Sequence, residues 1–499
     1  MSVLARRLPL LLSAAFVLLG VAWLAEPSAA GPDEPSHYLR ALSIGRGDLF
    51  GEQTTTAGMT PENAKQAEHL RRTTRSVEVP AGLAVPASWS CIAIEHTGSG
   101  ACLGDPAPNA RTVRQATQEG ANLPFLYVPA GLAMRLAKDA TGAMDLARVA
   151  SGVVSFSLIV LAIFLLWDGS TLSLLGVPLA VSPAVVFIGT VINPSGAEIG
   201  ASIALLAFLL RLSRPSQPPA WGWWAGITAA VVLSLARPLG AIWVVFLVTI
   251  GITFGGPRTI LRALRTAPVA ARFCVALVPV AMLLGLGWQV VTVPPLRHSV
   301  AEYASLVAPS LVAVPGAFGE AMGVFGWVDT FMPKPAYAVW GLSLVTLVST
   351  ALLRGRHRER RTLDLLIVAC FAATVAISAL VMLPVGWGVQ GRHVLPALMA
   401  LPLVSGEILF RNREQLGRRN VAAIGAVVAI PAAAVQFLGW YSNAHRYAVG
   451  AAGSWTFFSQ NEWRPISGWL PWAMIAAAAT ALLILCAIVP LRTAATEAV

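Results

Sequence analysis

The sequence "GPDEPSHYLR" at 31–40 combines groups suited to acid–base chemistry with a group suited to binding an anion. Asp33 and Glu34 are adjacent carboxylates, whereas His37 and Arg40 stand three residues apart and would share one face of a helix. The acidic pair and the proline after it also suit the first turn of a helix, whose N-terminus they would cap. Because an apolar run directly precedes this segment, we expect these groups at the edge of a bilayer.

Polar residues interrupt the apolar pattern at three further places, each beside a proline or glycine: "NPSGAE" at 193–198, "ARPLG" at 236–240 and "GWGVQGRH" at 386–393. Ionisable residues at the ends of membrane spans are candidates for function, and irregular backbone is tolerated where it lines a cavity. Simpler interpretations stay open, namely a helix-breaking turn at Asn193, a snorkelling Arg237, or an Arg392 that binds lipid headgroups. The polar candidates in these segments are Asn193, Glu198, Arg237, Gln390, Arg392 and His393.

The composition is typical of a polytopic membrane protein. Of the 499 residues, 56% are hydrophobic and 12% are charged, roughly half the charged fraction of a soluble globular protein. The formal net charge is +11, but the arginines cluster in short loops between apolar runs, which is the pattern that orients membrane helices. The basic character therefore indicates membrane topology and argues against nucleic acid as a partner.

Apolar runs of near-spanning length predict an all-α protein with about 12 transmembrane helices, roughly 11–13. The first run follows Arg6 and Arg7, and with "SAA" ending at Ala30 it resembles a secretory signal. Its 18 residues, Leu8 to Ala25, are close to spanning length, so it is interpreted as a retained signal-anchor. The run at 123–138 and the apolar stretch near 311–332 are interpreted as interfacial or re-entrant, because a span at 123–138 would put most of the basic loops outside the cytoplasm. The predicted spans are 8–25, 147–166, 172–192, 196–212, 220–236, 238–255, 270–293, 335–353, 363–383, 393–410, 420–440 and 468–490.

With these spans, both termini are predicted to be cytoplasmic in a bacterial plasma membrane, and the polar motifs all face the other side. The predicted parts are a signal-anchor helix at 1–25, a large extracytoplasmic loop with the acidic motif and juxtamembrane helices at 26–146, a transmembrane core at 147–293, an extracytoplasmic loop with an interfacial segment at 294–334 and a C-terminal transmembrane bundle at 335–499.

Five cysteines are present, and none has metal-binding spacing. Cys91 and Cys102 lie in the predicted extracytoplasmic loop, where an oxidising compartment permits a disulfide between them. The other three lie in apolar runs and suit packing.

Several segments in the same order resemble a bacterial family of predicted polytopic membrane proteins of unknown function: "PDEPSHYLRALSIGRGDLF", "NPSGAEIGASIALLAFLL", "ARPLGAIWV", "GVFGWVDT" and "QGRHVLPAL". That family is similar in turn to the GT-C superfamily of glycosyltransferases. The resemblance implies a GT-C-like fold, a catalytic acidic residue in the first large extracytoplasmic loop, and a lipid-linked donor, commonly a polyprenyl-phosphate sugar. Asp33 and Glu34 match the acidic motif, and the resemblance does not decide which of them is the base. His393 departs from the aromatic residue that is common at its position.

Transfer of a sugar from a polyprenyl phosphate to a hydroxyl needs a base for the attacking oxygen and positive charge for the departing phosphate. Asp33 is our first choice for the base and Glu34 our second. Arg237 and Arg392, with Arg40 as a third candidate, offer the planar donor fork that matches phosphate. The remaining predicted substrate-binding residues are His37, Asn193, Glu198, Gln390 and His393.

We therefore predict an inverting membrane glycosyltransferase that acts on an envelope glycan, lipid or protein acceptor. No cofactor is required; a divalent metal held by Asp33, Glu34 and Glu198 stays open, although no ligand spacing supports it. The main alternative is a transporter or flippase of a lipid-linked or anionic precursor, which would favour inverted repeats and charges in mid-span. A non-catalytic assembly scaffold is the third interpretation.

Overall fold

The long apolar runs of the sequence form helices in the structure, a computed structural model that describes residues 3–54, 60–103, 112–293 and 299–496. Residues 294–298, at the start of the predicted second loop, lie outside this part. The N-terminal elements are α1 (Val3–Arg6), α2 (Leu8–Trp23), α3 (Glu34–Gly45), β1 (Glu52–Gln53), α4 (Ala64–Thr73), β2 (Arg75–Pro80), α5 (Ser90–Ile94), β3 (Thr112–Thr117) and α6 (Val128–Met134).

The helices of the first half of the bundle follow. They are α7 (Ala140–Leu166), α8 (Val177–Ala180), α9 (Pro183–Thr190), α10 (Pro194–Leu212), α11 (Ala220–Ser234), α12 (Gly240–Gly255), α13 (Pro257–Thr266), α14 (Val269–Cys274) and α15 (Leu277–Thr292).

The C-terminal part begins with two helices and a short hairpin and continues with the second half of the bundle. Its elements are α16 (Val300–Ser305), α17 (Val307–Gly323), β4 (Val324–Phe325), β5 (Thr330–Phe331), α18 (Lys334–Arg354), α19 (His357–Ile377), α20 (Gly391–Leu398), α21 (Ala400–Arg411), α22 (Arg413–Leu416), α23 (Arg418–Val449) and α24 (Trp469–Thr496).

Among the described residues, eight helices are long and apolar enough to cross a membrane, or up to 10 if each of two bent pairs counts as one span. The predicted number of about 12 is higher because α2 and α11 are only 16 and 15 residues long. Pro219 caps the start of α11, and Arg237-Pro238 follows soon after its end, which limits its length. The structure is that of a multi-pass integral membrane protein.

The bent pairs owe their angles to prolines. The segments Thr171–Ala180 and Pro183–Thr190 meet at 72°, and Gly240–Gly255 and Pro257–Thr266 meet at 103°. Each second helix begins with a proline, which cannot donate a hydrogen bond into the preceding helix. The segments at 123–138 and 311–332 contain only helices shorter than 18 residues, α6 and α17.

The prediction of an all-α chain is wrong for the loop between α2 and α7, which contains a three-stranded antiparallel sheet in the order β1-β2-β3. In β2, Val77 and Val79 are buried and alternate with more exposed residues, the period of a half-buried strand. The alternation is too short to stand out in the sequence. A second small sheet, β4 paired with β5, follows α17.

This first loop is held close against the bundle. Gln66 in α4 donates its amide to the Gly386 carbonyl at 3.0 Å, and Arg75 in β2 donates to the Thr292 carbonyl at 3.1 Å. Gly45 and Gly131 bring α3 and α6 into backbone contact, and a Cβ on either glycine would collide with the other helix. These contacts fix α3, the helix that carries the acidic motif, relative to the membrane helices.

The core of the bundle is α10, in which every residue is buried. It packs against α7, α9, α11 and α12. Asn193 ends the preceding turn and caps α10, because its Oδ1 accepts the Ser195 amide hydrogen at 2.9 Å. The "NPSGAE" segment therefore starts the central helix at the end of the bundle on which the first loop lies.

Candidate functional site

Asp33 stands at the N-terminus of α3 in the left-handed backbone region, with φ of 60°. This conformation is uncommon for a residue with a side chain, although aspartate adopts it more readily than most residues. Asp33 occupies the N-cap position of α3, and Glu34 and Pro35 lie in the first turn as predicted, but the Asp33 carboxylate makes no capping hydrogen bond to the helix. Its Oδ1 accepts a hydrogen bond from Gln118 at 3.1 Å and its Oδ2 one from Arg392 at 2.7 Å.

Glu34, in contrast, is fully buried and occupied. Its oxygens accept two hydrogen bonds from Arg148, at 2.8 and 2.6 Å, and one each from the backbone amides of Gly31 and Ile192. Burial raises the pKa of Glu34, but the charge and hydrogen bonds of Arg148 outweigh burial and hold this pKa below its usual value. These four donors fill the acceptor sites of a carboxylate, so Glu34 fastens α3 to α7 and to the turn before α10.

Two guanidinium groups lie near Asp33. Arg392 follows Gly391 at the start of α20, where the Gly391 amide donates to Glu320 at 2.8 Å and a side chain would collide with α17. Arg237 donates to the Ser195 hydroxyl at 2.6 Å. Burial raises the pKa of Asp33, but the charges of Arg392, His37 and Arg237 together lower it overall, so this carboxylate is ionised at neutral pH.

His37 belongs to a hydrogen-bond network on the next turn of α3. Its Nδ1 lies 2.7 Å from the Tyr127 hydroxyl, which accepts a hydrogen bond from Asn122 at 3.0 Å. The Asn122 amide also donates to Glu119, whose Oε2 is 3.9 Å from His37 Nδ1. Burial lowers the pKa of His37 to about 3 despite the nearby Asp33, so the imidazole is neutral at pH 7.

Glu119 brings a second carboxylate to Asp33. Burial and the Asp33 charge raise the pKa of Glu119, against the opposing charges of Arg237 and Arg392. Asp33, His37 and Glu119 each offer a ligand atom, and these atoms lie within 4.8 Å of one another. Such an O, O, N set can hold a divalent cation, although the neighbouring guanidinium groups would repel it.

Arg40 lies on the same face of α3 and is fully buried. Its Nη2 donates to the Asn122 carbonyl at 2.6 Å, whereas Nε and Nη1 have no hydrogen-bond partner among the described residues. Arg40 thus binds the backbone of Asn122, a member of the His37 network, and forms no hydrogen bond to Asp33.

The remaining predicted residues lie around the two arginines. Asn193 donates to the Pro32 carbonyl at 3.4 Å, beside Asp33. Glu198 is buried one turn into α10 near the Arg237 charge, and its Oε1 has no partner within the described chain. Nδ1 of His393 accepts a hydrogen bond from the backbone amide of Gln390 at 3.1 Å. The side-chain Oε1 of Gln390 is likewise buried without a described partner.

The structure thus brings most of the predicted residues to one end of the bundle but turns Glu34 away from the arginines near Asp33. The metal set Asp33, Glu34 and Glu198 is not assembled, because Glu34 binds Arg148 instead. Two described cavities lie away from Asp33. One, of about 620 Å³, is at the C-terminal end of α3, and the other, of about 330 Å³, is where α7, α21 and α24 end. The charges and hydrogen bonds around Asp33 define this candidate site.

Sequence reasoning missed the residues of the loop before α6, namely Gln118, Glu119, Asn122 and Tyr127. A signal was available: Glu119 is a carboxylate just before the apolar stretch at 123–138, much as Asp33 is a carboxylate soon after the apolar run at 8–25. Elsewhere in the first loop, Cys91 and Cys102 form a disulfide with an S–S distance of 2.08 Å.

Comparison with known proteins places the chain in a family. Residues 16–401 match the family model described as predicted membrane protein (DUF2142). No curated protein matches the chain. Two crystal structures of ArnT from Cupriavidus metallidurans, one bound to undecaprenyl phosphate and one in the apo state, are similar with TM-scores of 0.44 and 0.43 and identities of 13% and 12%; each alignment covers 96% of this chain and 76% of that chain. Because both TM-scores are below 0.5, the residues of the site itself have to support any functional proposal. The match over residues 16–401 shows that the chain belongs to the DUF2142 family of predicted membrane proteins.

Proposed function

We propose that this protein is an integral-membrane glycosyltransferase that moves a sugar from a polyprenyl-phosphate donor to a hydroxyl of a cell-envelope acceptor, with inversion at the anomeric carbon. The observation that carries the proposal is the ionised Asp33 in contact with Arg392 and near Arg237, at the end of the central helix α10. The order of the sequence motifs resembles a family of predicted membrane proteins that is similar in turn to GT-C glycosyltransferases, which supports the same class.

Asp33 is the general base in this proposal. Of the two acidic residues in the motif, Asp33 has the more accessible side chain, 21% exposed against 0% for Glu34. A carboxylate within hydrogen-bond reach of an acceptor hydroxyl accelerates its attack by about 10²- to 10⁴-fold. Glu34 holds the helix in place and does not take part in proton transfer.

Arg392 and Arg237 bind the donor phosphate. A guanidinium group offers parallel N–H donors that match two phosphate oxygens and keeps its charge throughout the reaction. In the structure Nε of Arg392 is buried without a described partner, so this group has a donor free for an incoming anion. Both arginines lie at the start or end of bundle helices, where a lipid phosphate sits while its chain stays in the bilayer.

Donor binding also activates the base. When the phosphate binds Arg392, Asp33 loses its closest positive partner. Burial then raises the pKa of Asp33, so that it can accept a proton. The acceptor oxygen forms a bond to the anomeric carbon, the bond from that carbon to the phosphate oxygen breaks, and the phosphate leaves with the electron pair. Asp33 accepts the hydroxyl proton, and polyprenyl phosphate is released.

His37, Asn193 and Glu198 orient substrate hydroxyls, because a neutral imidazole, an amide and a carboxylate together supply donors and acceptors around the sugar. Gln390 and His393 complete the wall beside Arg392. We place this site on the extracytoplasmic face of the plasma membrane with both termini in the cytoplasm, as the positions of the basic loops favour. Two guanidinium groups supply the positive charge, so the proposed reaction needs no metal.

The test starts with mass spectrometry of lipids that co-purify with the full-length protein. A polyprenyl-phosphate sugar found there then serves as donor for the wild type and for Asp33→Asn in proteoliposomes. We expect the variant to bind the lipid but to lose transfer, whereas Glu78→Gln, an exposed carboxylate of the same loop, transfers normally. Wild-type rates in Asp33→Asn, or lipid movement across the bilayer without transfer, would overturn the proposal.

A further inference from the structure

A cavity of about 330 Å³ lies between the connection after α7, the connection around α22 and the end of α24. These segments lie at the end of the helix bundle opposite the candidate site. The polar side chains that line the cavity are Asp168, Ser170, Thr171, Arg413, Arg418 and Thr493. Two arginines and three residues with hydroxyl groups therefore line one space, together with a single acidic residue.

The two lining arginines are held in place by the protein. Arg413 donates to the Phe410 carbonyl at 2.8 Å, and its guanidinium carbon lies 4.2 Å from the centre of the Phe410 ring. Arg418 pairs with Glu414 at 3.0 Å. The acidic lining residue, Asp168, is in turn 3.6 Å from Arg214, which is not among the lining residues, so this acid already has a cationic partner.

The surrounding cluster carries more positive than negative charge. Glu407 forms salt bridges with two arginines, Arg214 at 2.6 Å and Arg411 at 2.8 Å. Arg211 is buried next to them; its charge interacts with that of Asp168, and its Nε and Nη1 have no hydrogen-bond partner among the described residues. With Arg413 and Arg418 included, five arginines stand against three carboxylates, Asp168, Glu407 and Glu414. Arg211 and Arg214 are buried, whereas the side chains of Arg413 and Arg418 are 26% and 47% exposed. An anion that reaches the two more exposed arginines would offset this excess of positive charge.

We infer that this cavity binds a phosphate group, supplied by the headgroup of an anionic phospholipid. Guanidinium forks combined with hydroxyls match the oxygens of phosphate, and the space is large enough for a headgroup. The lining residues stand where the apolar helices α7, α21 and α24 end, which is the level of lipid headgroups; basic pockets between membrane helices at the cytoplasmic face bind such lipids. A soluble phosphate has the same chemistry, and the experiment separates the two sources.

The experiment measures thermal unfolding of the purified full-length protein in a neutral detergent during titration with three probes. These are phosphatidic acid, diacylglycerol with the same acyl chains, and inorganic phosphate balanced against chloride at equal ionic strength. We expect phosphatidic acid to raise the unfolding temperature in a saturable way and diacylglycerol to have no effect. Arg413→Gln combined with Arg418→Gln should weaken that binding by roughly tenfold or more, because two charge-assisted hydrogen bonds are lost.

Arg360→Gln combined with Arg361→Gln is the matched control, since these two exposed arginines lie outside the cavity. If the double cavity variant does not fold, Arg418→Gln alone, whose side chain is 47% exposed, replaces it. Saturation by inorganic phosphate instead of the lipid would assign the site to a soluble phosphate. Equal binding by wild type and cavity variants, or no response to either phosphate probe, would overturn the inference.

Discussion

Nη2 of Arg392 lies 2.7 Å from Oδ2 of Asp33, although the two residues are 359 positions apart in the sequence. The contact joins the first polar motif to the last one and defines the candidate site. It also pairs the proposed base, Asp33, with Arg392, which is proposed to bind the donor phosphate. The ion pair keeps both side chains in position until the donor binds.

Replacement of Arg392 should change both donor binding and the pH profile. Burial raises the pKa of Asp33 and Arg392 is the largest influence that lowers it, so removing the guanidinium should raise this pKa. The acidic limb of the rate profile should therefore move to higher pH in Arg392→Gln, and the KM for the donor should rise by roughly tenfold or more because charged hydrogen bonds are lost.

Initial rates measured across the pH range check this prediction. Arg392→Lys should fall between wild type and Arg392→Gln, because it keeps the charge but loses the planar fork. Arg114→Gln, at an exposed arginine of the first loop, serves as control. An acidic limb at the same pH in all variants would show that Arg392 does not act on the base.

The two adjacent carboxylates should give opposite phenotypes. Asp33→Asn should lose about 10²- to 10⁴-fold in transfer rate with little change in unfolding temperature. Glu34→Gln should cost about 3–5 kcal/mol of stability, since it leaves the buried Arg148 without its anion. Unfolding in detergent and transfer assays on both variants separate the roles; a stable, inactive Glu34→Gln would reverse our assignment.

Glu26 should make the stability of the protein fall as pH rises. Burial raises its pKa from 4.5 to about 8, and the folded protein holds this residue protonated between those values. The unfolded chain releases the proton above pH 4.5, so the contribution is full below that pH and is lost as pH rises to about 8. Glu26→Gln should remove this pH dependence.

Unfolding of wild type and Glu26→Gln at a series of pH values measures the difference. The variant should gain stability relative to wild type as pH increases. Glu52→Gln, which alters an exposed carboxylate, should follow the wild-type curve. Parallel curves for wild type and Glu26→Gln would mean that Glu26 titrates normally in the folded protein.

Removal of divalent metal should leave the proposed transfer reaction unchanged. In the proposed mechanism, Arg392 and Arg237 place positive charge at the leaving phosphate, which is the task that a metal would perform. Rates before and after treatment with EDTA provide the measurement. If activity disappears and magnesium or manganese restores it, Asp33, His37 and Glu119 are the ligands to test, and Glu119→Gln should then raise the metal concentration needed.

The first loop should be accessible from outside the cell. After mild reduction, a membrane-impermeant thiol reagent should label Cys91 or Cys102 in intact cells, because the disulfide lies in the loop that we place there. The Cys91→Ser, Cys102→Ser double variant gives the background. Labelling that requires lysis would reverse the proposed orientation.

Much of the site could be predicted because charged residues stand out in an apolar chain. Asp33, Arg237 and Arg392 each occur at the end of an apolar run, where a charge is costly without a partner. Glu119 borders the apolar stretch at 123–138 but belongs to a long polar loop, so its charge contrasts less with its neighbours, and Tyr127 is one aromatic residue within that stretch. Their convergence on His37 depends on the packing of α3 against α6, which the local sequence does not encode.

Arg148 shows why the division of labour between Asp33 and Glu34 escaped prediction. It stands at the start of a predicted span, where an arginine ordinarily marks an interface. Only the structure reveals that it forms a buried pair with Glu34 and so leaves Asp33 as the accessible acid. The sheet in the first loop was missed for a similar reason, since its strands gain their register from pairing rather than from long alternation.

The bonds of Glu34 to Arg148 and Ile192 can form once the ribosome has released the first part of the chain, whereas Arg392 is synthesised much later. A nascent protein would therefore have Asp33 held in position through Glu34 but would lack Arg392 during most of its insertion. If the proposed function holds, transfer would begin only near the end of translation, so unfinished or truncated chains would not consume the lipid-linked donor.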